Sequence, residues 1–307
     1  RKFKAHSLEV PKLPLPALPE IDGTHNIIIT GVGGTGVVTI GALLAMAAHL
    51  DGKAAGMMEM AGLAQKGGAV HIHCRLGLKP EDISAIRVAL GECHTLIGGD
   101  LVVSAQGSTL GLIRPNGAAV VNNYEIITGD FTRDTKFQIP GADLELAIKA
   151  RFQDKVMLLN ATKLAEQALG DTVYANMILL GAAFQAGLLP ISLKALEEAI
   201  VLNGTKVKEN QTAFTLGRWR TIDENISNQF EYRGQKTRDY GQTIYEQLKG
   251  YGSGRLARYE DMKLKLTGTP HEDQILKSYF KLLTYKDEYE VARLLQTTKL
   301  QVSEMFE

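Results

Sequence analysis

Short apolar runs alternate with longer helix-like stretches over the first two thirds of the chain. Asn26–Thr30 is centred on three isoleucines, which is typical of a strand buried on both faces. Val37–Leu50, rich in Ala, Leu and Met, predicts the helix that follows. Further strands are predicted at Lys53–Met60, Ala69–Leu76, Thr95–Gly98, Ala118–Asn122 and Val156–Asn160. This alternation favours a Rossmann-like, doubly wound α/β domain with a mostly parallel sheet.

The pattern changes after Val173, where apolar residues recur three and four positions apart. We place the α/β domain at 24–206 and a mainly helical C-terminal region at 207–307. Residues 1–23 contain four prolines between Pro11 and Pro19, which predicts an extended linker. Because the chain begins with a linker and with Arg1 rather than Met, we interpret it as a fragment of a longer polypeptide.

Composition and charge narrow the class of partner. The 34 basic residues balance the 34 acidic ones, so nucleic acid and anionic membranes are not expected partners. No apolar run reaches the roughly 18 residues of a membrane span. Two cysteines, Cys74 and Cys93, suit a reducing compartment and predict a cytoplasmic location. They are also too few for an iron–sulfur cluster, which usually takes four.

A glycine-rich turn lies between the first predicted strand and the first helix. Its G-x-G-x-x-G pattern fits the dinucleotide fingerprint, in which backbone N–H groups approach a phosphate. Glu59, at the end of the second predicted strand, occupies the sequence position of a ribose-binding acid. The alternative is that the glycines serve only a tight turn and close packing. The candidate cofactor-binding residues of this turn are Gly31, Gly33, Gly34, Thr35 and Gly36.

A second glycine-containing loop, Gln65-Lys66-Gly67-Gly68, follows the second predicted strand. It belongs to the carboxyl edge, where ligands bind in such sheets. We expect Lys66 to meet an anionic group and Gln65, Gly67 and Gly68 to let the loop approach a partner. A solvated lysine on a surface turn is the alternative.

Other polar residues give no complete catalytic or metal-binding set. Strand alternation places His71, His73 and Arg75 on one face, where a cation is disfavoured, so structural or interface roles are expected. Cys93-His94 has no nucleophile–base pattern. Gly98-Gly99-Asp100 lacks the order of a thiamine motif, and we interpret Asp100 as a helix N-cap. We predict no catalytic residue and no metal site in this chain.

Taken together, these motifs resemble the gamma-type domain of 2-oxoacid:ferredoxin oxidoreductases. The resemblance rests on the glycine turn, on Gly62–Val70 with His73 and Arg75, on Asp100–Val103 and on Ala175–Gly181. Later stretches are similar to the C-terminal part of the long, fused bacterial indolepyruvate ferredoxin oxidoreductase: Leu202-Asn203-Gly204, Asn210, Ala213-Phe214, Gly217-Arg218 and Tyr285–Arg293. One departure is Cys93-His94-Thr95, where relatives carry a small residue and then an aspartate.

The resemblance implies an enzyme that decarboxylates a 2-oxoacid, most simply an arylpyruvate, on thiamine diphosphate with Mg. Its two electrons pass through [4Fe–4S] clusters to ferredoxin, and its acyl group passes to coenzyme A. The gamma-type domain itself holds neither thiamine nor cluster. It packs against the thiamine-binding and ferredoxin-like domains, in a homo-oligomer, and supports the approach of coenzyme A. The isolated chain is expected to be inactive.

Two other functions stay open from the sequence alone. The glycine turn and Glu59 would also suit an NAD(P)-dependent dehydrogenase. A purely structural assembly module would keep the scaffold and bind no nucleotide.

Overall fold

A single sheet organises the α/β part of the chain. The computed structural model describes residues 11–32, 36–61, 68–124, 141–230, 248–249, 253–269 and 271–284. Its strands are Thr24–Val32 (β1), Ala54–Ala61 (β2), Ala69–Gly77 (β3), Cys93–Gly98 (β4), Ile113–Asn122 (β5) and Val156–Leu159 (β6). All six predicted strands are therefore present in the predicted order.

The six strands lie in the order β2-β3-β1-β4-β5-β6. β1, β4, β5 and β6 are parallel, whereas β3 is antiparallel to both of its neighbours. The predicted mostly parallel α/β class is confirmed, with β3 as the exception. Only seven residues separate Ala61 from Ala69, and a parallel crossover needs about a dozen or more, so β3 has to run back along β2.

Helices cover both faces of this sheet, as expected of a doubly wound fold. They are Val37–Leu50 (α1), Leu101–Ser104 (α2), Gly107–Leu110 (α3), Gly141–Phe152 (α4), Ala161–Leu169 (α5), Ala175–Gln185 (α6), Leu193–Leu202 (α7) and Val207–Ile222 (α8). Two later helices, Ser253–Leu266 (α9) and Glu272–Leu283 (α10), belong to a separate region of the chain. Ile27 and Ile29 point into the larger core, shared with α1, α6, α7 and α8. Ile28 points into the smaller core, shared with α2 and α4. The three isoleucines thus serve both layers.

Helix α8 belongs with the α/β sheet rather than with the region after it. Gly181 of α6 and Gly217 of α8 face each other so closely that a Cβ on either would collide with a backbone carbonyl of the other helix. The first compact unit therefore runs from Arg1 to Tyr232, beyond the division predicted near residue 207. The second unit, Arg233–Glu307, has its own small core of Leu248, Tyr259 and Leu276. No helix in the described ranges is long and apolar enough to cross a bilayer.

The described part of the proline-rich segment, residues 11–23, packs against the first unit. Leu13 and Ile21 contact the larger core. The Pro14 carbonyl accepts hydrogen bonds from Gln185 Nε2 at 2.9 Å and Arg218 Nη2 at 3.3 Å. This segment, predicted as a linker, is a strap held over the ends of α6 and α8.

Candidate functional site

The two glycine-containing segments of the sequence are anchored side by side. Val32 at the end of β1 pairs with Ala69 at the start of β3, and Ala61 at the end of β2 pairs with Val70. Gly33, Gly34, Thr35, Gln65, Lys66 and Gly67 lie outside the described residues, whereas Gly31, Gly36 and Gly68 lie within them. The antiparallel turn of β3 is what brings the two sets of anchors together.

This edge of the sheet contains the topological switch point. From β1 the chain goes to β2 and β3 on one side and to β4, β5 and β6 on the other. β1 and β4 are joined at their carboxyl ends, where Gly99 N–H donates to the Thr30 carbonyl at 2.7 Å. Open α/β sheets bind ligands in the crevice at this position. The geometry therefore favours a ligand or partner beside the glycine turn.

Gly31 and Gly36 each have a geometric reason to be glycine. Gly36 begins α1 with φ 81°, in the left-handed region that side chains disfavour. A Cβ on Gly31 would collide with Cγ1 of Val37 in the first turn of α1. These two glycines therefore allow the turn and the strand–helix contact, and any ligand-binding role for the full set stays a prediction.

Asp100 is a buried carboxyl group at the same edge. Its Oδ1 accepts a hydrogen bond from Val103 N–H at 2.8 Å, which confirms the predicted N-cap of α2. Its Oδ2 is also buried and has no hydrogen-bond partner among the residues that the structure describes. Burial raises the pKa of Asp100 to about 6, against the opposing effect of the backbone hydrogen bonds from Val103 and Val102. The sequence predicted the N-cap but not the unpaired Oδ2, because the burial of Asp100 depends on segments that are distant in the chain.

Glu59 lies two strands from β1, which does not match the place of the ribose-binding acid that its sequence position suggested. Glu59 pairs with Ile72 of β3, and Ile72 pairs with Ile29 of β1. Two strand spacings of nearly 5 Å each separate Glu59 from β1. In the dinucleotide-binding order the acid-bearing strand is the direct neighbour of β1. The inserted β3 thus removes the main support for an NAD(P)-binding site.

The polar residues of β3 form hydrogen bonds to neighbouring loops, helices and strands. His71 is hydrogen bonded to Thr109 Oγ1 at 2.9 Å, and His73 Nδ1 accepts from Val88 N–H at 3.1 Å. Arg75 donates to Asn26 Oδ1 and forms an ion pair with Glu92. Ile72, Cys74 and Leu76 enter the larger core on the opposite face, as the alternation predicted. Within the described ranges, no three His, Cys, Asp or Glu side chains cluster as metal ligands would.

A second polar cluster occupies the opposite, amino edge of the parallel strands. His25 at the start of β1 and His94 at the start of β4 stack with ring centroids 4.8 Å apart. His25 Nε2 lies 3.1 Å from both Thr95 Oγ1 and the Leu188 carbonyl oxygen. Together with Arg114 these residues line a pocket of about 220 Å³. The sequence did not predict this cluster. Except for the adjacent His94 and Thr95, its members are at least 19 positions from one another in the chain.

Comparisons with known proteins support one family. A family model described as pyruvate ferredoxin/flavodoxin oxidoreductase matches residues 26–219. The chain is 28% identical over 175 residues to indolepyruvate oxidoreductase subunit IorB of Archaeoglobus fulgidus, spanning 57% of this chain and 83% of the relative. It is 29% identical over 202 residues to 2-oxoglutarate synthase subunit KorC of Methanothermobacter thermautotrophicus, spanning 64% of this chain and 95% of the relative. Among solved structures, it is similar to the gamma subunit of keto/oxoacid ferredoxin oxidoreductase from Geobacter sulfurreducens, with a TM-score of 0.46 and 22% identity. The match covers 64% of this chain and 98% of that subunit.

Proposed function

The chain belongs to the pyruvate ferredoxin/flavodoxin oxidoreductase family, and from this premise we propose that it is a gamma-type part of a 2-oxoacid:ferredoxin oxidoreductase that cannot turn over substrate alone. In this proposal thiamine diphosphate, Mg and the [4Fe–4S] clusters belong to partner domains or subunits. The present chain supplies assembly surface and shapes the approach of coenzyme A.

The observation that carries this proposal is the state of the two cysteines. Cys74 lies in the larger core and Cys93 in the smaller one, on opposite faces of the sheet. Burial raises the pKa of each thiol to about 12. An iron–sulfur cluster needs thiolates, usually four of them, so this chain does not fit one. A ferredoxin-linked enzyme must then carry its electrons through another part of the assembly.

We also assign thiamine diphosphate to a partner, because Gly98-Gly99-Asp100 lacks the order of a thiamine motif. A Cβ at Gly99 would lie 2.8 Å from the Thr30 carbonyl oxygen, and Asp100 caps α2. Both residues are therefore committed to holding β1, β4 and α2 together, and no step of the decarboxylation is assigned to this chain.

The carboxyl edge suits the phosphate-bearing end of coenzyme A. Both glycine-containing segments are anchored there, and one of them contains Lys66. A lysine and glycine-rich segments at a switch point favour an anionic group. The IorB relatives and the residues shared with the fused indolepyruvate enzymes support an arylpyruvate as the 2-oxoacid. Ferredoxin as acceptor, a homo-oligomeric assembly and a cytoplasmic location complete the proposal.

An activity assay tests the dependence on partners. The purified 307-residue chain, given indolepyruvate, thiamine diphosphate, Mg and coenzyme A, is expected to reduce no viologen. Co-expression with a thiamine-binding, cluster-containing partner from the same genome should yield a complex that does. Turnover by the chain alone would contradict the proposal, as would the absence of any complex.

Ligand-dependent melting separates the three functional classes. A ligand at 100 times its dissociation constant stabilises the folded state by about 2.7 kcal/mol, which raises the midpoint. We expect a shift with coenzyme A and none with NADH. A shift with NADH alone would favour a dehydrogenase, and no shift with either, in a chain that still binds its partner, would leave only the assembly role.

A further inference from the structure

We propose that the amino edge of the sheet holds a second ligand site, which binds a small oxyanion such as a carboxylate or a phosphate between Arg114, His25 and His94. This pocket lies at the opposite ends of the parallel strands from the glycine-containing segments. It is therefore separate from the edge assigned to coenzyme A.

The pocket is assembled from five separate parts of the first unit. Pro19 comes from the strap, and Gly187 and Leu188 come from the turn after α6. The starts of β1, β4 and β5 provide the polar lining: His25, His94, Thr95, Arg114 and Asn116. Its volume of about 220 Å³ is below the roughly 300 Å³ at which sites for drug-sized ligands begin. This size favours an ion or a small metabolite with a few ordered waters.

The charge of the lining is positive and uncompensated. Arg114 is exposed, and among the described residues it forms no ion pair; its electrostatic partners are the rings of His25 and His94. Arg75 and Glu92 also act on His94, but their charges act in opposite directions and the two side chains pair with each other at 3.0 Å. No carboxylate of the described residues lines the pocket. A guanidinium that lacks its own carboxylate is a natural binder of an external one.

The hydrogen bonds fix which ring nitrogen carries the proton of each neutral imidazole. His25 lies 3.1 Å from the Leu188 carbonyl oxygen, which only accepts, so His25 carries its proton on Nε2. Asn26 N–H donates to His94 Nδ1 at 3.1 Å, so the proton of His94 is on Nε2. The Nε2 proton of His25 is already directed to Leu188, so the donors that remain for a ligand are His94 Nε2–H, the Arg114 guanidinium and the Asn116 amide. An oxyanion is the complementary ligand.

A bound anion should change the protonation of both rings. Burial, and then the neighbouring His94 and Arg114, lower the pKa of His25 to about 4. Burial, Arg114 and Arg75 lower the pKa of His94, with Glu92 acting in the opposite direction. An anion beside Arg114 favours the imidazolium form and so raises both pKa values. By linkage, the anion binds more tightly as the pH falls.

Histidine-detected NMR on the full chain tests this site. Inorganic phosphate and acetate are titrated separately at pH 6 into ¹⁵N-histidine-labelled protein, with chloride at equal ionic strength as the reference. We expect saturable shifts of the His25 and His94 ring signals and a rise in their pKa values. The arm that saturates at lower concentration identifies the phosphate or the carboxylate as the preferred class.

Matched variants locate the binding. Arg114→Gln is expected to weaken binding at least tenfold, whereas Arg87→Gln, an exposed arginine that faces His73, should leave it unchanged. His94→Asp places a carboxylate beside Arg114 and should abolish saturation. Trp219 fluorescence verifies that each variant folds, since Trp219 is buried in the same unit. The inference fails if neither anion saturates, or if Arg114→Gln binds as the unmodified chain does.

Discussion

The two edges of the sheet are built by different means and respond to protons in opposite directions. The carboxyl edge is made of glycines, backbone contacts and one buried acid, Asp100, whose pKa burial raises to about 6. The amino edge is made of imidazoles, and burial lowers the pKa of His25 to about 4. In both groups burial favours the neutral form over the charged one. Lowering the pH therefore stabilises the carboxyl edge and destabilises the amino edge. In the unmodified chain the two changes in the free energy of unfolding partly cancel.

Removing the titration of His25 should give the largest change. Its pKa is lower in the folded state than its ordinary value of 6.5, so its contribution is present above pH 6.5 and is lost as the pH falls towards 4. Glutamine at this position retains a donor for the Leu188 carbonyl and does not titrate. Between pH 7 and pH 4, the free energy of unfolding of His25→Gln should gain about 3 kcal/mol relative to the unmodified chain.

Urea unfolding followed by Trp219 fluorescence is the measurement, because Trp219 is the single tryptophan and lies in α8 of the first unit. The second unit does not contribute to this signal. If variant and unmodified chain keep the same difference at both pH values, His25 is not the buried neutral group described here.

Asp100→Asn should show the opposite sign and a somewhat smaller size. The pKa of Asp100 is higher in the folded state than its ordinary value of 3.8, so its contribution is fully present below pH 3.8 and is lost as the pH rises through 6. Asparagine keeps an oxygen for the Val103 N–H and stays neutral. From pH 4 to pH 7 the variant should gain about 2 kcal/mol relative to the unmodified chain. A gain on acidification instead would show that the carboxylate form is the favoured one.

Gly31→Ala tests whether the carboxyl edge depends on backbone contact. The added Cβ meets Cγ1 of Val37, whose branched side chain has little freedom within its helix. We expect a loss of about 1–2 kcal/mol in the free energy of unfolding. Gly107→Ala is the matched control, since a Cβ there meets nothing within 4 Å. Equal effects at both glycines would contradict the packing explanation, and Val37→Ala should partly rescue Gly31→Ala.

The sequence predicted the carboxyl edge far better than the amino edge, for a physical reason. Glycines, caps and strand ends are local signals, so the turn beginning at Gly31 and the cap at Asp100 were visible in short windows. The direction of β3 was not, although the short connection before Ala69 already excludes a parallel crossover. Because β3 lies between β2 and β1, Glu59 is one strand farther from β1 than the dinucleotide-binding order requires.

The amino edge depends on register between distant segments. His25, His94 and Leu188 meet only because β1 and β4 begin at the same level of the sheet and the turn after α6 reaches that level. No periodicity along the chain encodes that meeting. The division at Tyr232 was hidden in the same way, since Gly181 and Gly217 reveal a helix crossing only once both helices are placed.

The smallest expected effect concerns the proposed ligand of the carboxyl edge. Lys66→Gln removes one charge from the segment between β2 and β3, and a solvent-screened contact of this kind contributes about 1 kcal/mol or less. Coenzyme A should therefore bind to the chain about threefold more weakly, measured by calorimetry at low salt. Lys194→Gln is the control, because Lys194 is exposed and lies away from the glycine turn. It is on α7 close to Ser192, which is hydrogen bonded to Asp51 at the C-terminal end of α1, whereas the glycine turn precedes the N-terminal end of α1. Equal weakening by both variants would show that only the overall charge matters, and it would contradict binding of coenzyme A at the carboxyl edge.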